Sequence, residues 1–205
     1  TADGSTATVT VTVAAVNDVP VTAAVSASTN EDTAKTITLS ATDVEGSSLT
    51  YSIVSNPSNG SLGSVSGTSV VYTPTANWNG TDTFTYKSND GTADGSTATV
   101  TVTVAAVNDA PVAPNVSAST NEDTAKTIIL NDTSQVGGSS ATDVEGSSLT
   151  FSIVSNPSNG SFGESKNATS VQYTPNANWN GTDTFTYKAN DGTADSNTAT
   201  VTVTV

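Results

Sequence analysis

The 205-residue sequence contains no Cys, His, Met or Arg, and its five basic residues are all lysines: Lys35, Lys87, Lys126, Lys166 and Lys188. Without Cys there is no disulfide framework and no thiol chemistry from which to read a redox compartment. Without His and Cys the usual nucleophile–base pairs of covalent catalysis are gone. A carboxylate pair can hydrolyse a glycoside, but the acids here fall at predicted domain ends and outline no cleft, so no enzyme is expected. The soft ligands that favour zinc or copper are absent too. No apolar run approaches the ~20 residues of a membrane-spanning helix, and no secretory leader pattern is visible. The chain opens in the middle of a strand pattern, as a segment of something longer would.

What is present is acidic and repetitive. Nineteen Asp and Glu face five Lys, for a formal net charge of −14. Such a surface repels nucleic acid and anionic membranes and suits metal cations. The stretch Val16–Pro20, VNDVP, returns at Val107–Pro111 as VNDAP, 91 residues later. The block around Trp78, YTPTANWNGTDTFTYK, returns around Trp179 as YTPNANWNGTDTFTYK, 101 residues later. Nine of the ten extra residues enter near Asn131–Ser140, opposite Ser40, and one more between Phe162 and Tyr173. Such self-similarity marks tandem domains. The expected division is residues 16–106 and 107–205, preceded by residues 1–15, which match 92–106 letter for letter and read as the closing strand of a preceding repeat. Each full repeat already owns a closing strand, which leaves no vacant groove for that segment to complete.

Hydrophobic periodicity is that of strands. Val100, Val102 and Val104 alternate with Thr99, Thr101 and Thr103; Phe84 and Tyr86 alternate with Thr83, Thr85 and Lys87; Leu49, Tyr51 and Ile53 share a face. Period two with one apolar face describes a half-buried antiparallel sheet, and two such faces make a sandwich core. Turn chemistry (NEDT, DVEG, NPSNG, NDGTADG) separates seven runs per repeat. In the first these are residues 21–28, 34–40, 49–54, 61–65, 69–72, 82–87 and 97–104. The predicted fold is all-β: two tandem seven-stranded antiparallel Greek-key sandwiches, cadherin- or immunoglobulin-like.

That topology sorts the acids. At the joint between the repeats it places Glu31, Asp32 and Asp82 from the foot of the first, Asn108 and Asp109 from the linker, and Asp143, Glu145 and Asp191, with Asp195, from the head of the second. The first joint combines Asn17 and Asp18 with Asp43, Glu45, Asp90 and Asp94, and its upper half lies in the preceding repeat. Glu122 stands where Glu31 does, one repeat on. Like charges so gathered would repel. Ca²⁺, which takes 6–8 oxygen ligands in irregular geometry, suits them. The competing reading is that Asp and Asn simply favour turns.

The VNDAP linker, the NEDT and ATDVEG segments, the YTPNANWNGTDTFTYKANDG block and the closing TATVTVTV strand resemble the cadherin-like and immunoglobulin-like tandem repeats of large bacterial surface adhesins, including calcium-dependent extender regions of repeats-in-toxin adhesins. The likeness covers nearly the whole chain. The acidic turn carries one carboxylate fewer than in many relatives, and the GGxGxD nonapeptide is absent. The resemblance implies calcium-stiffened extender domains, secreted to the bacterial cell surface, whose partners are neighbouring repeats of the same chain. The alternatives are a glycan- or cell-binding module, with the insertion at 131–140 as its natural seat, and a laterally self-associating filament subunit. Trp78 and Trp179 read as core plugs rather than sugar platforms. Lys87 and Lys188, outward with Thr, read as surface residues rather than isopeptide donors. The sequons at Asn79 and Asn167 carry little information in so Asn- and Thr-rich a chain.

Overall fold

The computed structural model describes residues 3–131, 140–167 and 169–205. It contains strands and turns and, among the described residues, no helix. The chain divides into two compact units, Thr1–Val107 and Asn108–Val205.

In the first unit the strands are β1 (Val21–Thr22), β2 (Val25–Asn30), β3 (Lys35–Thr38), β4 (Ala41–Thr42), β5 (Thr50–Ser55), β6 (Gly60–Leu62), β7 (Ser69–Pro74), β8 (Gly80–Asn89) and β9 (Ala98–Ala105). A four-stranded sheet runs β2-β9-β8-β5, a three-stranded sheet β3-β7-β6, and β1 pairs with β4. All neighbours are antiparallel except β2 and β9, which run parallel from Val25↔Val100 to Asn30↔Ala105. The second unit repeats the plan with β10 (Val116–Ser119), β11 (Lys126–Ile129), β12 (Thr150–Ser155), β13 (Gly160–Asn167), β14 (Ser170–Pro175), β15 (Thr182–Asn190) and β16 (Ala199–Thr204). Its sheets run β10-β16-β15-β12, again with one parallel pair, and β11-β14-β13. A single bridge, Val112↔Thr142, stands where β1 pairs with β4.

The first expected strand, residues 21–28, is therefore two. β1 pairs with β4, the chain crosses at Ala23–Ala24, and β2 joins the other sheet beside β9. The hydroxyl of Tyr86 occupies the crossing. It lies 2.5 Å from the Ala23 carbonyl and 2.9 Å from the Ser40 carbonyl, and accepts from the Ser40 amide at 3.1 Å. Backbone groups freed by leaving one sheet thus find a side-chain partner, as buried polar groups require.

The core lies between the sheets. Val100, Val102 and Val104 of β9 are 0–3% exposed, and Ile37, Val70, Tyr72, Phe84 and Tyr86 pack with them. Burying each such side chain is worth about 1.5–3 kcal/mol, so β9 is the strand on which the sandwich closes. In the second unit Val201, Val203, Tyr173, Phe185 and Tyr187 repeat the arrangement. Phe162, in place of Leu62, adds an edge-on contact with Phe185 at 4.9 Å. Trp78 is half-buried against the core and its ring stands over Gly80, where an added Cβ would come within 3.0 Å of it.

Candidate functional site: the acidic heads

At one end of each sandwich three segments meet: the incoming linker, the turn after the β3–β4 region and the β8–β9 turn. Each turn folds on an Asp. Asp43 Oδ1 accepts from the Ser47 amide at 2.8 Å, with Gly46 at φ 73° completing the bend. Asp90 Oδ1 accepts from the amides of Thr92 and Ala93 at 2.6 and 2.7 Å. The bond from Thr92 makes an Asx turn at Asp90, and at both places the side chain stands in for a backbone acceptor.

The linker is tied to both. Asn17 Nδ2 donates to Asp90 Oδ2 at 2.9 Å, and the Asp18 amide donates to Glu45 Oε2 at 3.3 Å. The second unit repeats each bond: Asp143 Oδ1 to the Ser147 amide at 2.8 Å, Asp191 Oδ1 to the amides of Thr193 and Ala194 at 2.6 Å, Asn108 Nδ2 to Asp191 Oδ2 at 2.8 Å, and the Asp109 amide to Glu145 at 3.4 Å. The structure thus ties Asn17, Asp18, Glu45 and Asp90 together in one head, and Asn108, Asp109, Glu145 and Asp191 in the other. Asp94 is drawn aside. It pairs with Lys87 and accepts from Asn89 Nδ2 at 2.8 Å. Asp195 likewise faces Lys188 at 3.6 Å and Asn190 at 2.7 Å.

These bonds set the acidities. The Ala93 amide first, then the Asn17 amide group and the Thr92 amide, hold the Asp90 carboxyl below the ordinary Asp value; Ala194, Asn108 and Thr193 do the same for Asp191. Asp94 is lowered by Lys87 and then by Asn89.

One atom in each head has no such partner. Asp43 Oδ2 and Asp143 Oδ2 are buried and receive no hydrogen bond. A buried acceptor left unpaired costs about 1–3 kcal/mol, more when charged, and calls for an ion or a water. The heads also offer only hard oxygen donors, the chemistry of Ca²⁺ rather than of a soft metal. On these two observations the residues fit a calcium ion. No group of three or more acidic side chains is pre-assembled around a point among the described residues. Backbone and Asn carbonyls and water would have to supply much of any such shell.

The opposite end is built differently. Glu31 is 4% exposed and its Oε1 accepts from the Val107 amide at 2.5 Å, while its own amide donates to the Ala105 carbonyl. Asp32, at φ 56°, accepts from the Asn77 amide at 3.0 Å. Asp82 is 4% exposed and faces inward. Its Oδ1 accepts from the amides of Ser58 (3.1 Å) and Thr83 (2.9 Å), and its Oδ2 from the Asn59 amide (2.9 Å) and the Tyr72 hydroxyl (3.0 Å). A carboxylate accepts at about four sites, and protein donors fill them. Asp82 is thus a bracket between the β5–β6 turn and β8, and Asp183 repeats it with Ser158, Asn159, Tyr173 and Thr184. The signal was parity: Asp82 stands two residues before Phe84 and four before Tyr86, on the inward face.

Comparison with known proteins adds the lineage. No curated protein matches the sequence. Mouse cadherin-23 repeats EC22–24 superpose with a TM-score of 0.54 at 19% identity, over 92% of this chain and 67% of that one. Human protocadherin-24 EC1–2 superposes with a TM-score of 0.52 at 17% identity, over 93% and 98%. At these identities the likeness is one of fold. An endo-fucoidan hydrolase of glycoside hydrolase family 107 aligns at 24% identity with a TM-score of 0.37, over 91% of this chain, which spans only 28% of that enzyme's length. The profile of the bacterial Ig domain matches residues 17–103 and again 108–204. The chain belongs to the bacterial Ig domain family and carries two copies of that domain in tandem.

Proposed function

We propose that the chain is a stalk segment of an extracellular bacterial protein, in which Ca²⁺ at the head of each repeat fastens the repeat to its incoming linker. The bacterial Ig domain is a non-catalytic fold, and no helix of the described residues is long and apolar enough to cross a membrane. The observation that carries the calcium reading is the buried, unpartnered Oδ2 found at the same place in both heads, on Asp43 and Asp143. Asp43, Glu45, Asp90 and the linker's Asn17 and Asp18 would hold one ion; Asp143, Glu145, Asp191, Asn108 and Asp109 would hold the other. Asp82 stays outside the set because its acceptor sites are filled.

Within the first unit the foot also grips the outgoing linker, through Glu31 and the Val107 amide. Linker segments held in this way lose rotational freedom, and a bound ion would remove more. Extracellular modules bind Ca²⁺ at about 10⁻⁴–10⁻³ M, so the heads would fill outside cells and empty inside them.

Calorimetric titration of the 205-residue chain with Ca²⁺, beside small-angle scattering with and without EDTA, tests this. The expected result is saturable binding in that range and a greater maximum dimension with calcium. Absence of binding heat together with unchanged scattering overturns it.

A further inference from the structure

The two open sides of the first sandwich are built differently. On one side the edges are β5 and β6. β5 carries a bulge, where its register slips between Ile53 and Ser55, and β6 is only three residues long. Bulges and short strands are devices that stop an edge from pairing with another chain. On the other side the edges are β2 and β3. β2 runs in unbroken register with β9 from Val25 to Asn30, and those six residues include no charge, Pro or Gly. The second repeat does not copy this. There Pro114 stands where the first repeat has Ala23, each with its carbonyl on a tyrosine hydroxyl, and β10 is only four residues long.

The unblunted edge has backbone groups to offer. The Glu31 amide donates to the Ala105 carbonyl of β9. Backbone groups alternate in direction along a strand, so Ala27 aims its amide and carbonyl at β9, and Ser26 and Ser28 aim theirs outward. Among the described residues no strand pairs with that side of β2. Between β2 and β3 lies a gap of about 620 Å³, lined by Val25, Ala27, Lys35, Ile37 and Thr38 among others. Ile37 belongs to the core, and Val25 and Ala27 pack against it while still partly exposed. Charge selects the occupant. The chain carries −14, but β2 and the gap beside it hold no acid and one lysine, Lys35. A second copy can approach here without setting carboxylate against carboxylate. β2 is also complementary to itself. Antiparallel to its own copy, it keeps its inward face inward only where inward residues oppose inward residues. Val25 then faces Thr29 of the second copy, Ser26 faces Ser28, and Ala27 faces Ala27.

We propose that two copies of this chain pair through β2, antiparallel about a two-fold axis at Ala27, so that their four-stranded sheets join into one. Ser26 and Ser28 exchange backbone hydrogen bonds across the seam, which is strand addition to an open sheet edge. Val25 and Ala27 lose the solvent they still meet. Both partners use the same patch, so the contact closes as a dimer.

The register supplies the test. Ala27 faces its own copy as a non-hydrogen-bonded pair, with Cα atoms about 4.5 Å apart, inside the range a disulfide spans. Ser26 lies diagonal to its own copy, about 7–8 Å away, beyond that range. The chain has no Cys, so on oxidation Ala27→Cys should give an intermolecular disulfide, and Ser26→Cys, although more exposed, should not. In EDTA, where no cation bridges the heads, sedimentation across a concentration series should show a reversible monomer–dimer equilibrium. Ser26→Lys with Ser28→Lys sets like charges across the seam and should weaken the dimer at least tenfold. Ser26→Lys with Ser28→Glu sets opposite charges there and should keep it. Both serines are exposed, so circular dichroism should be unchanged in either variant. A chain that is monomeric at all concentrations, trapping at Ser26→Cys equal to that at Ala27→Cys, or equal dimerisation of the two charge variants would each overturn the proposal.

Discussion

The Tyr72 hydroxyl donates to the buried Asp82 carboxylate at 3.0 Å, and Tyr173 does the same to Asp183. Each pair joins β7 or β14 of one sheet to β8 or β15 of the other. The same carboxylate holds the turn before β6 or β13 through two amides. Removing it leaves those donors buried and empty. Asp82→Ala should therefore cost about 3 kcal/mol, as expected for loss of hydrogen bonds to a charged group. Urea unfolding followed by tryptophan fluorescence, read at unchanged m-value, measures it. A cost below about 1 kcal/mol would mean that the turn finds other acceptors.

The tyrosines of this core also set an alkaline limit. Burial, then the Asp183 carboxylate, pushes Tyr173 up to about 12; burial pushes Tyr187 to about 12 as well. Tyr72 and Tyr86 are raised, chiefly by burial. An unfolded tyrosine ionises near pH 10, so above that pH the unfolded state holds fewer protons than the folded one. Stability must then fall as pH rises. It should be intact below pH 10 and lost progressively between pH 10 and about 12. Absorbance at 295 nm against pH, beside circular dichroism, should show the late-titrating phenols ionising together with loss of the fold.

At the heads the sign is reversed. Asp90 and Asp191 are held below the ordinary value by turn amides and by the linker Asn. Their contribution is present at neutral pH and is lost only as pH falls through those lowered values. Asn108→Ala should raise the Asp191 pKa toward the ordinary Asp range while leaving Asp90, with its own Asn17, unmoved. Side-chain carboxyl NMR titration reads both in one sample. An unmoved Asp191 would show that the linker contact is not held in solution.

Much of this was legible in the chain. Alternation in Thr97–Val104 and Asp82–Lys87 gave the buried faces. The turn chemistry located the heads, and Trp78 took its place against the core. What escaped depends on residues far apart in sequence. Nothing between Val21 and Ser28 breaks the strand pattern; the break is set by the hydroxyl of Tyr86, 63 residues on from Ala23. Asp82 sits among turn residues and reads as a loop ligand until its parity with Phe84 is counted.

The two repeats differ most instructively at one hydroxyl. In the first, Thr22 Oγ1 and Ser88 Oγ lie 2.7 Å apart beside Gly95. In the second these positions are Ala113, Ala189 and Ser196, and Ser196 Oγ accepts from the Ala189 amide at 2.9 Å. The polar group has moved from β1 and β8 to the segment that leads into β16. A Cβ on Gly95 would meet the Pro20 carbonyl oxygen at 2.5 Å, Ser88 Oγ at 2.7 Å and Thr22 Oγ1 at 2.8 Å. Gly95→Ser should thus destabilise the first repeat by about 1–3 kcal/mol, the range for overpacking, although the second repeat carries Ser there naturally. Adding Thr22→Ala and Ser88→Ala should recover part of the loss, since it removes the two side-chain contacts and leaves that with the Pro20 carbonyl. Thermal melts of the single and triple variants test the exchange as a coupled set.

Calcium separates the roles of the two oxygens of one carboxylate. Asn at position 43 or 143 keeps an Oδ1 for the Ser47 or Ser147 amide but removes the charge from the buried, unpartnered oxygen. In EDTA, Asp43→Asn with Asp143→Asn should cost nothing or stabilise, because an unpaired buried charge is relieved. With Ca²⁺ in hundredfold excess over its dissociation constant, a site specific to the folded state adds about 2.7 kcal/mol, and the double variant should lose that gain. The signature is a crossing: the variant melts at or above the parent without calcium and below it with calcium. Melting curves that keep the same order in both buffers would mean that Asp43 and Asp143 hold no ion, and that their turns explain them fully.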